Sequence, residues 1–170
     1  MNPKYLGDSY DLVKRFFCRE LSNLGYSVAV DAMFTGAWGA NEQEFYRLIG
    51  ANPLASGALA PLRTALFLDP DTGVNERGCK QHASFDRLAR EATRHELVFA
   101  FDQSFSRQAK AAEAIRTKLS ALRSRGCHAM YYDSHARFVF VANQRPALDE
   151  LQLHLVALGV PVSRLLASDT

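Results

Sequence analysis

The chain has 170 residues, of which 48% are hydrophobic and 22% are charged, and its formal net charge at pH 7 is +2. This composition is ordinary for a globular protein and the length is sufficient to bury a core, so we expect one domain over residues 1–170. The near-neutral charge excludes a global field that would demand an acidic partner, and any basic surface must be local.

The cysteines and the apolar runs of the sequence indicate the cellular compartment of the protein. The three cysteines, Cys18, Cys79 and Cys127, are too far apart for a CxxC pair. This favours reduced thiols over a disulfide framework or a zinc site. The first residues lack the apolar segment of a signal peptide, and no apolar run reaches the roughly 20 residues that span a bilayer. We therefore expect a soluble, cytoplasmic protein without a membrane partner.

Helical and strand patterns alternate from the start of the chain. Apolar residues recur at helical spacing through 8–24, and a short β-rich strand at 26–30 is closed by Asp31. A second helix begins at Asn41, with Glu44 three residues later completing a capping box.

The same alternation continues to the end of the chain. It predicts a mainly parallel sheet connected by helices, which makes the fold class α/β, three-layer and Rossmann-like, with a C-terminal β-hairpin. The remaining predicted strands are 64–68, 97–101, 128–132, 138–142 and 160–166, and the remaining predicted helices are 84–94, 105–125 and a last one opened by Pro146.

Three of the predicted strands are followed by aspartate, namely Asp31, Asp69 and Asp102, and Asp71 lies two residues after Asp69. The carboxyl ends of parallel strands are where open α/β sheets bind ligands, so these carboxylates are expected at one edge. We take Asp69, Asp71 and Asp102 as candidate catalytic residues. In a Mg²⁺-dependent alternative, Asp31 and Asp69 are the metal ligands. The competing interpretation is that each aspartate only begins a turn or caps a helix.

The turn after the third predicted strand is the sharpest short signal. In the segment Asp69-Pro70-Asp71-Thr72-Gly73, Pro70 stops the strand and Gly73 permits a positive φ. Such a constrained turn either serves only to reverse the chain or holds Asp69 in a fixed geometry.

The loop after the first strand, residues 31–39, contains two glycines that let a ligand approach the backbone closely. Asp31, Gly36 and Gly39 are therefore candidate cofactor-binding residues. Trp38 in the same loop is interpreted as a packing residue in preference to a stacking platform for a base.

Charged residues on two helices complete the set of candidates. The predicted helix 105–125 carries six basic residues against the single acid Glu113, and Arg107, Lys110 and Lys118 are candidate nucleic-acid contacts. A solvated helix face is the other interpretation. In the first helix, the i, i+3 spacing of Asp11 and Lys14 suits a surface ion pair worth a few tenths of a kcal/mol.

The second half of the chain resembles a class I methyltransferase fold, in which the last strands also form a hairpin. Asp69-Pro70-Asp71-Thr72 resembles the Asp-Pro-Pro-aromatic motif of amino-directed methyltransferases, which holds the target amine; Asp69 and Pro70 match, whereas Asp71 and Thr72 do not. Residues 31–39 resemble the first glycine motif of that family. The resemblance implies S-adenosylmethionine as cofactor and nucleic acid or a nucleotide as substrate.

One element of the family is missing. In the family, a second strand ends in an acid that binds the cofactor ribose, whereas here a short helix and a loop lead directly to the Asp69 strand. The YLGDS and FLDPDTG segments together are also similar to a set of uncharacterised bacterial proteins, which implies no particular activity.

Three functions are therefore open from the sequence. The first is a methyltransferase-related enzyme, and the second is a Mg²⁺-dependent nuclease or phosphohydrolase that uses the strand-end aspartates. The third is a non-catalytic module that binds nucleic acid or a protein through the basic helix.

Overall fold

The structure is a computed structural model that describes residues 2–54, 63–104 and 110–167. The helices within these ranges are α1 (Ser9–Asn23), α2 (Asn41–Ile49), α3 (Phe85–Ala92), α4 (Ala111–Arg123) and α5 (Arg145–Ala157), with short 3₁₀ turns at Pro3–Tyr5 and Val162–Arg164. The strands are β1 (Ser27–Asp31), β2 (Asn52–Pro53), β3 (Thr64–Leu68), β4 (Gly73–Asn75), β5 (His82–Ser84), β6 (Leu97–Phe101), β7 (His128–Tyr132), β8 (Phe138–Ala142) and β9 (Leu165–Ala167).

The central sheet has the strand order β2-β1-β3-β6-β8-β7-β9. Strands β2, β1, β3 and β6 pair in parallel, β8 lies antiparallel between β6 and β7, and β9 is antiparallel to β7. Because β7 and β6 are both antiparallel to β8, they run the same way, so five of these seven strands share one direction. The fold is thus α/β with a mostly parallel central sheet and helices, and β4 and β5 form a separate parallel pair.

The central strands are buried on both faces, which explains their continuous apolar sequences. Along β3, Ala65 and Phe67 point into one apolar cluster and Leu66 and Leu68 into another, as the alternation of a strand requires. The first cluster contains residues of α1, α2 and α5, and the second contains residues of α3 and α4. The sheet therefore packs against helices through both clusters. Because these apolar contacts occupy its faces, a site is expected at the ends of the strands.

The predicted strands β3, β6, β7 and β8 are confirmed at the same residues. The short strands β2, β4 and β5 were not predicted, since two or three residues give no measurable periodicity. Pro53 is tolerated because β2 is an edge strand, where a missing donor costs no ladder bond. The final strand begins at Leu165 and not at 160. Part of the long predicted helix, 105–109, lies outside the described residues.

Candidate functional site

The carboxyl ends of β1, β3 and β6 lie side by side at one edge of the sheet. In the parallel register of β1 and β3, Asp31 lies opposite Leu68, and Asp69 and Asp102 directly follow β3 and β6. The chain leaves β1 for β2 on one side and then passes to β3 on the other. The strand order therefore reverses between β1 and β3, which is the position at which open α/β sheets bind ligands.

Asp69 is fully buried in an ion-pair cluster with two residues of α1. Its Oδ2 accepts a hydrogen bond from Lys14 Nζ at 2.9 Å, and the same Nζ donates to Asp11 Oδ1 at 2.9 Å. Asp69 Oδ1 is buried without a hydrogen-bond partner within the described part of the chain. We call Asp11, Lys14 and Asp69 the Asp69 cluster. It contains an acceptor atom that this structure does not satisfy.

Burial sets the protonation of the Asp69 cluster. Desolvation raises the pKa of Asp69 to about 6, although the nearby Lys14 ammonium opposes this. Burial alone would lower the pKa of Lys14, but Asp69 and Asp11 outweigh it and the pKa of Lys14 is raised. With both carboxylates ionised, the cluster carries a net charge of −1, and protonation of Asp69 removes that charge.

Asp102 is also fully buried, but all of its acceptor capacity is used. Its Oδ2 accepts hydrogen bonds from Lys118 Nζ at 2.6 Å and from the Tyr131 hydroxyl at 2.9 Å. Its Oδ1 accepts from the backbone N–H of Val74 at 3.0 Å and from the Ser104 hydroxyl at 2.8 Å. Asp102 therefore connects the end of β6 with β4, β7 and α4, and it has no acceptor capacity left for a ligand.

Gly73 is the residue that lets β4 approach Asp102. Its φ is +115°, and a Cβ at this position would lie 2.2 Å from Asp102 Oδ1. Only glycine adopts this positive φ without strain and has no Cβ to collide with Asp102. The constrained turn after Asp69 thus serves the Asp102 contacts directly.

An open cleft of about 700 Å³ lies beside Asp31 at the same edge of the sheet. One carboxylate oxygen of Asp31 forms an ion pair with Arg87 from the first turn of α3, and the other accepts a hydrogen bond from Met33 N at 3.1 Å. The side chain of Asp31 is 30% exposed, so it can meet a ligand. This Asp31 cleft is lined by Asp31, Met33, Phe34, Thr35, Gly36, Cys79, Lys80 and Arg87.

The backbone of the Asp31 cleft is strained at Met33. Its φ of +43° is the only positive φ of a non-glycine residue among those described. Left-handed backbone is unfavourable for such a residue and is retained chiefly where surrounding contacts, often at functional sites, enforce it. The hydrogen bond from Met33 N to Asp31 is one such contact.

The two loop glycines predicted to bind a cofactor are not equivalent. Gly36, with φ +82°, lines the Asp31 cleft, whereas Gly39 lies further along the loop and accepts the backbone bond that opens α2. Trp38 is 3% exposed and packs on Phe34 with 4.4 Å between ring centroids. Its role in packing agrees with the interpretation from the sequence.

Asp71 stands at the rim of the Asp31 cleft. The Thr35 hydroxyl, which lines the cleft, donates to Asp71 Oδ2 at 3.4 Å. The next residue, Thr72, contacts His82 Nδ1 at 2.6 Å. Asp71 is half-buried, whereas Asp69 and Asp102 are fully buried.

The three candidate nucleic-acid contacts do not form one exposed group. Lys110 is 82% exposed at its side chain and lies 3.5 Å from Glu113. Lys118 points inward to Asp102, so a phosphate would have to compete with that carboxylate. Arg107 lies outside the described residues. The exposed basic helix face expected from the sequence is therefore interrupted at Lys118.

Metal ligation of the strand-end aspartates finds no support in the geometry. Within 2–54, 63–104 and 110–167, no group of three or more His, Cys, Asp or Glu side chains is placed to hold a metal ion. Asp31 and Asp69, the metal ligands of the Mg²⁺ alternative, instead contact Arg87 and Lys14.

Two cations of the site were missed or misplaced by sequence reasoning. The spacing of Asp11 and Lys14 predicted their ion pair, which is present, but placed it on the surface, whereas Lys14 is 3% exposed. Arg87 was not singled out at all. It reaches Asp31 across 56 positions, and no local pattern in the sequence signals such a contact.

No protein-family model matches the chain, and neither curated proteins nor solved structures give a match. Among the helices described, none is long and apolar enough to cross a membrane.

Proposed function

We propose that the protein is a methyltransferase-related enzyme with a Rossmann-like, three-layer fold. It binds S-adenosylmethionine in the Asp31 cleft and acts on nucleic acid or a nucleotide. The observation that carries the proposal is the coincidence of this cleft with the point between β1 and β3 where the strand order reverses.

The sheet supports the resemblance from which the proposal starts. Helices contribute to apolar clusters on both faces, and β7 and β8 are consecutive strands that pair antiparallel from His128 opposite Ala142 to Tyr132 opposite Phe138. We interpret this pair as the C-terminal hairpin of the class I methyltransferase arrangement.

The Asp31 cleft suits the methyl donor in size and in chemistry. A volume of about 700 Å³ lies within the range of sites that bind small molecules. Met33 and Phe34 offer an apolar wall for a purine, and Asp31 is the one carboxylate among the described residues that line the cleft. S-adenosylmethionine carries a sulfonium and an ammonium, both of which a carboxylate attracts.

The Asp69 cluster provides the contact to substrate in this proposal. A buried acceptor without a partner costs free energy, and Asp69 Oδ1 is such an atom. A substrate amine that donates to Oδ1 would remove this cost, which is the role the matched motif has in amino-directed methyltransferases. Asp71 and Thr72 occupy the positions of the second proline and the aromatic residue, so a stacking surface for the base must come from elsewhere.

Cofactor binding is expected to be weak. The chain has no Asp or Glu between Glu44 and Asp69, and β2 ends at Pro53 without an acid after it. The carboxylate that holds the cofactor ribose in the family is thus absent from this stretch. Titrations must therefore extend to millimolar ligand.

Isothermal titration calorimetry with S-adenosylmethionine and S-adenosylhomocysteine tests the proposal. We expect both to bind, and Asp31→Asn to weaken binding of S-adenosylmethionine by about 10-fold, since one charge-assisted contact is lost. Asp86→Asn is the matched control, because Asp86 is also paired with an arginine but is 75% exposed and does not line the cleft. It should bind like the parent.

A second measurement follows a labelled methyl group into DNA, RNA and free nucleotides. Transfer that is lost in Asp69→Asn, with S-adenosylmethionine binding retained, supports the role of Asp69. Absence of heat and of any thermal shift with both ligands contradicts the methyltransferase assignment.

A further inference from the structure

Arg87 is a cation that lines the Asp31 cleft. It lies in the first turn of α3, whose N-cap is Ser84, and its side chain is 26% exposed. Asp31 is the only group in the described ranges that accepts a hydrogen bond from its guanidinium. A guanidinium has five N–H donors in a planar fork, so most of its donor capacity is unused.

A second cation lines the same cleft. Lys80, in the exposed loop between β4 and β5, faces the cleft together with Arg87, against the single carboxylate of Asp31. Asp71 accepts a hydrogen bond from the Thr35 hydroxyl and is not among the residues that line the cleft. The described part of the lining therefore presents two positive groups and one negative group, which suits a ligand that carries an anionic group as well as a cation.

We propose that Arg87, assisted by Lys80, forms an anion subsite that holds a carboxylate or phosphate group of the ligand in the Asp31 cleft. The proposal rests on the proposed function for the location of the ligand. Arginine is suited to this task because its fork binds carboxylate and phosphate in a bidentate manner. The ion pair with Asp31 holds the fork in place before a ligand arrives.

The subsite requires a ligand that carries an anionic group. S-adenosylmethionine supplies a carboxylate at its amino-acid end, and AMP supplies a phosphate on the same nucleoside. 5′-Methylthioadenosine has the nucleoside but neither anion. Arg87 should therefore distinguish the first two ligands from the third, whereas a residue that only supports the shape of the cleft would affect all three.

Calorimetry on the full chain with these three probes tests the subsite. We expect Arg87→Gln to weaken binding of the probe that carries the recognised anion by about 10- to 100-fold, the usual range for a charge-assisted contact, and to leave 5′-methylthioadenosine unchanged. Arg90→Gln is the matched control. Arg90 lies one turn further along α3, is 58% exposed at its side chain, contacts Glu91 and does not line the cleft. Thermal melts of both variants establish that they are folded.

The outcomes separate the subsite from the proposed function. If S-adenosylmethionine binds Arg87→Gln as tightly as the parent, the subsite is wrong and the methyl-donor site stands. If AMP binds in an Arg87-dependent way while S-adenosylmethionine does not bind, the subsite stands with phosphate as its ligand and the methyl-donor function is wrong. Equal weakening of all three probes reduces Arg87 to a structural support, and failure of every probe to bind overturns both proposals.

Discussion

At the scale of single residues, Asp69 and Asp102 follow neighbouring parallel strands and are both fully buried, yet they are held differently. Asp102 accepts hydrogen bonds on both oxygens from four different residues. Among the residues that the structure describes, Asp69 has one side-chain partner, Lys14, and one oxygen without any hydrogen bond. The saturated carboxylate is suited to holding elements together, and the unsaturated one is suited to meeting a ligand.

Loss of Lys14 tests how strongly the Asp69 cluster depends on its cation. We expect Lys14→Met to lower the free energy of unfolding by about 3–5 kcal/mol, because it leaves buried carboxylates without a counter-charge. The double variant Lys14→Met with Asp69→Asn should lose less, since the uncompensated charge at Asp69 is removed as well. Urea unfolding measures both, and Lys110→Met, at an 82% exposed side chain, is the control with little effect. A Lys14→Met protein as stable as the parent would contradict the role of the ion pair.

At the scale of elements, the long strands and helices were predictable and the small ones were not. The limits of β3 and β6 could be predicted because apolar runs buried on both faces end sharply at Asp69 and Asp102. The contacts of those aspartates could not, because Lys14 and Lys118 reach them from helices 55 and 16 positions away. The Asp69–Gly73 turn was recognised from its residue types, but its purpose depends on the position of β4 beside Asp102.

Gly73 is where the geometry of that turn can be tested. Gly73→Ala should lower the free energy of unfolding by about 3 kcal/mol or more, because it adds a strained φ and a Cβ that collides with Asp102 Oδ1. Gly126→Ala is the control: its φ is +77°, but apart from its two chain neighbours no described residue has an atom within 4 Å of the added Cβ. The control should lose only about 1–2 kcal/mol, the conformational part of the penalty. Equal losses measured by chemical denaturation would show that the approach of β4 to Asp102 is not tight.

At the scale of the whole molecule, the sequence predicted that the aspartates share the carboxyl edge of the sheet. It did not predict which of them would be buried and which exposed. The pattern of apolar runs closed by aspartate indicated that Asp31, Asp69 and Asp102 share one edge, and the parallel pairing of β1, β3 and β6 places them there. Which of them is exposed depends on the helices packed above, since α1 covers Asp69 with Lys14 and α4 covers Asp102 with Lys118. Asp31 is left at the open cleft.

These buried charges give the stability of the molecule an unusual dependence on pH. Burial raises the pKa of Asp69 to about 6, above the value of about 3.9 for an unfolded aspartate. The folded chain therefore holds the proton more tightly than the unfolded chain. The contribution of Asp69 to stability is greatest below about pH 4 and declines as the pH rises towards about 6, by a total of about 3 kcal/mol.

Comparison of the parent with Asp69→Asn isolates this dependence from all other groups. The difference in free energy of unfolding, parent minus variant, should fall between about pH 4 and pH 7. Glu20→Gln provides a control of opposite sign. Burial would raise the pKa of Glu20, but hydrogen bonds from His154, Asn23 and Arg19 lower it, so its contribution is present above about pH 4.3 and is lost on acidification. A parent-minus-Asp69→Asn difference that rises with pH would mean that Lys14 outweighs burial and that Asp69 is a permanently ionised partner of that lysine.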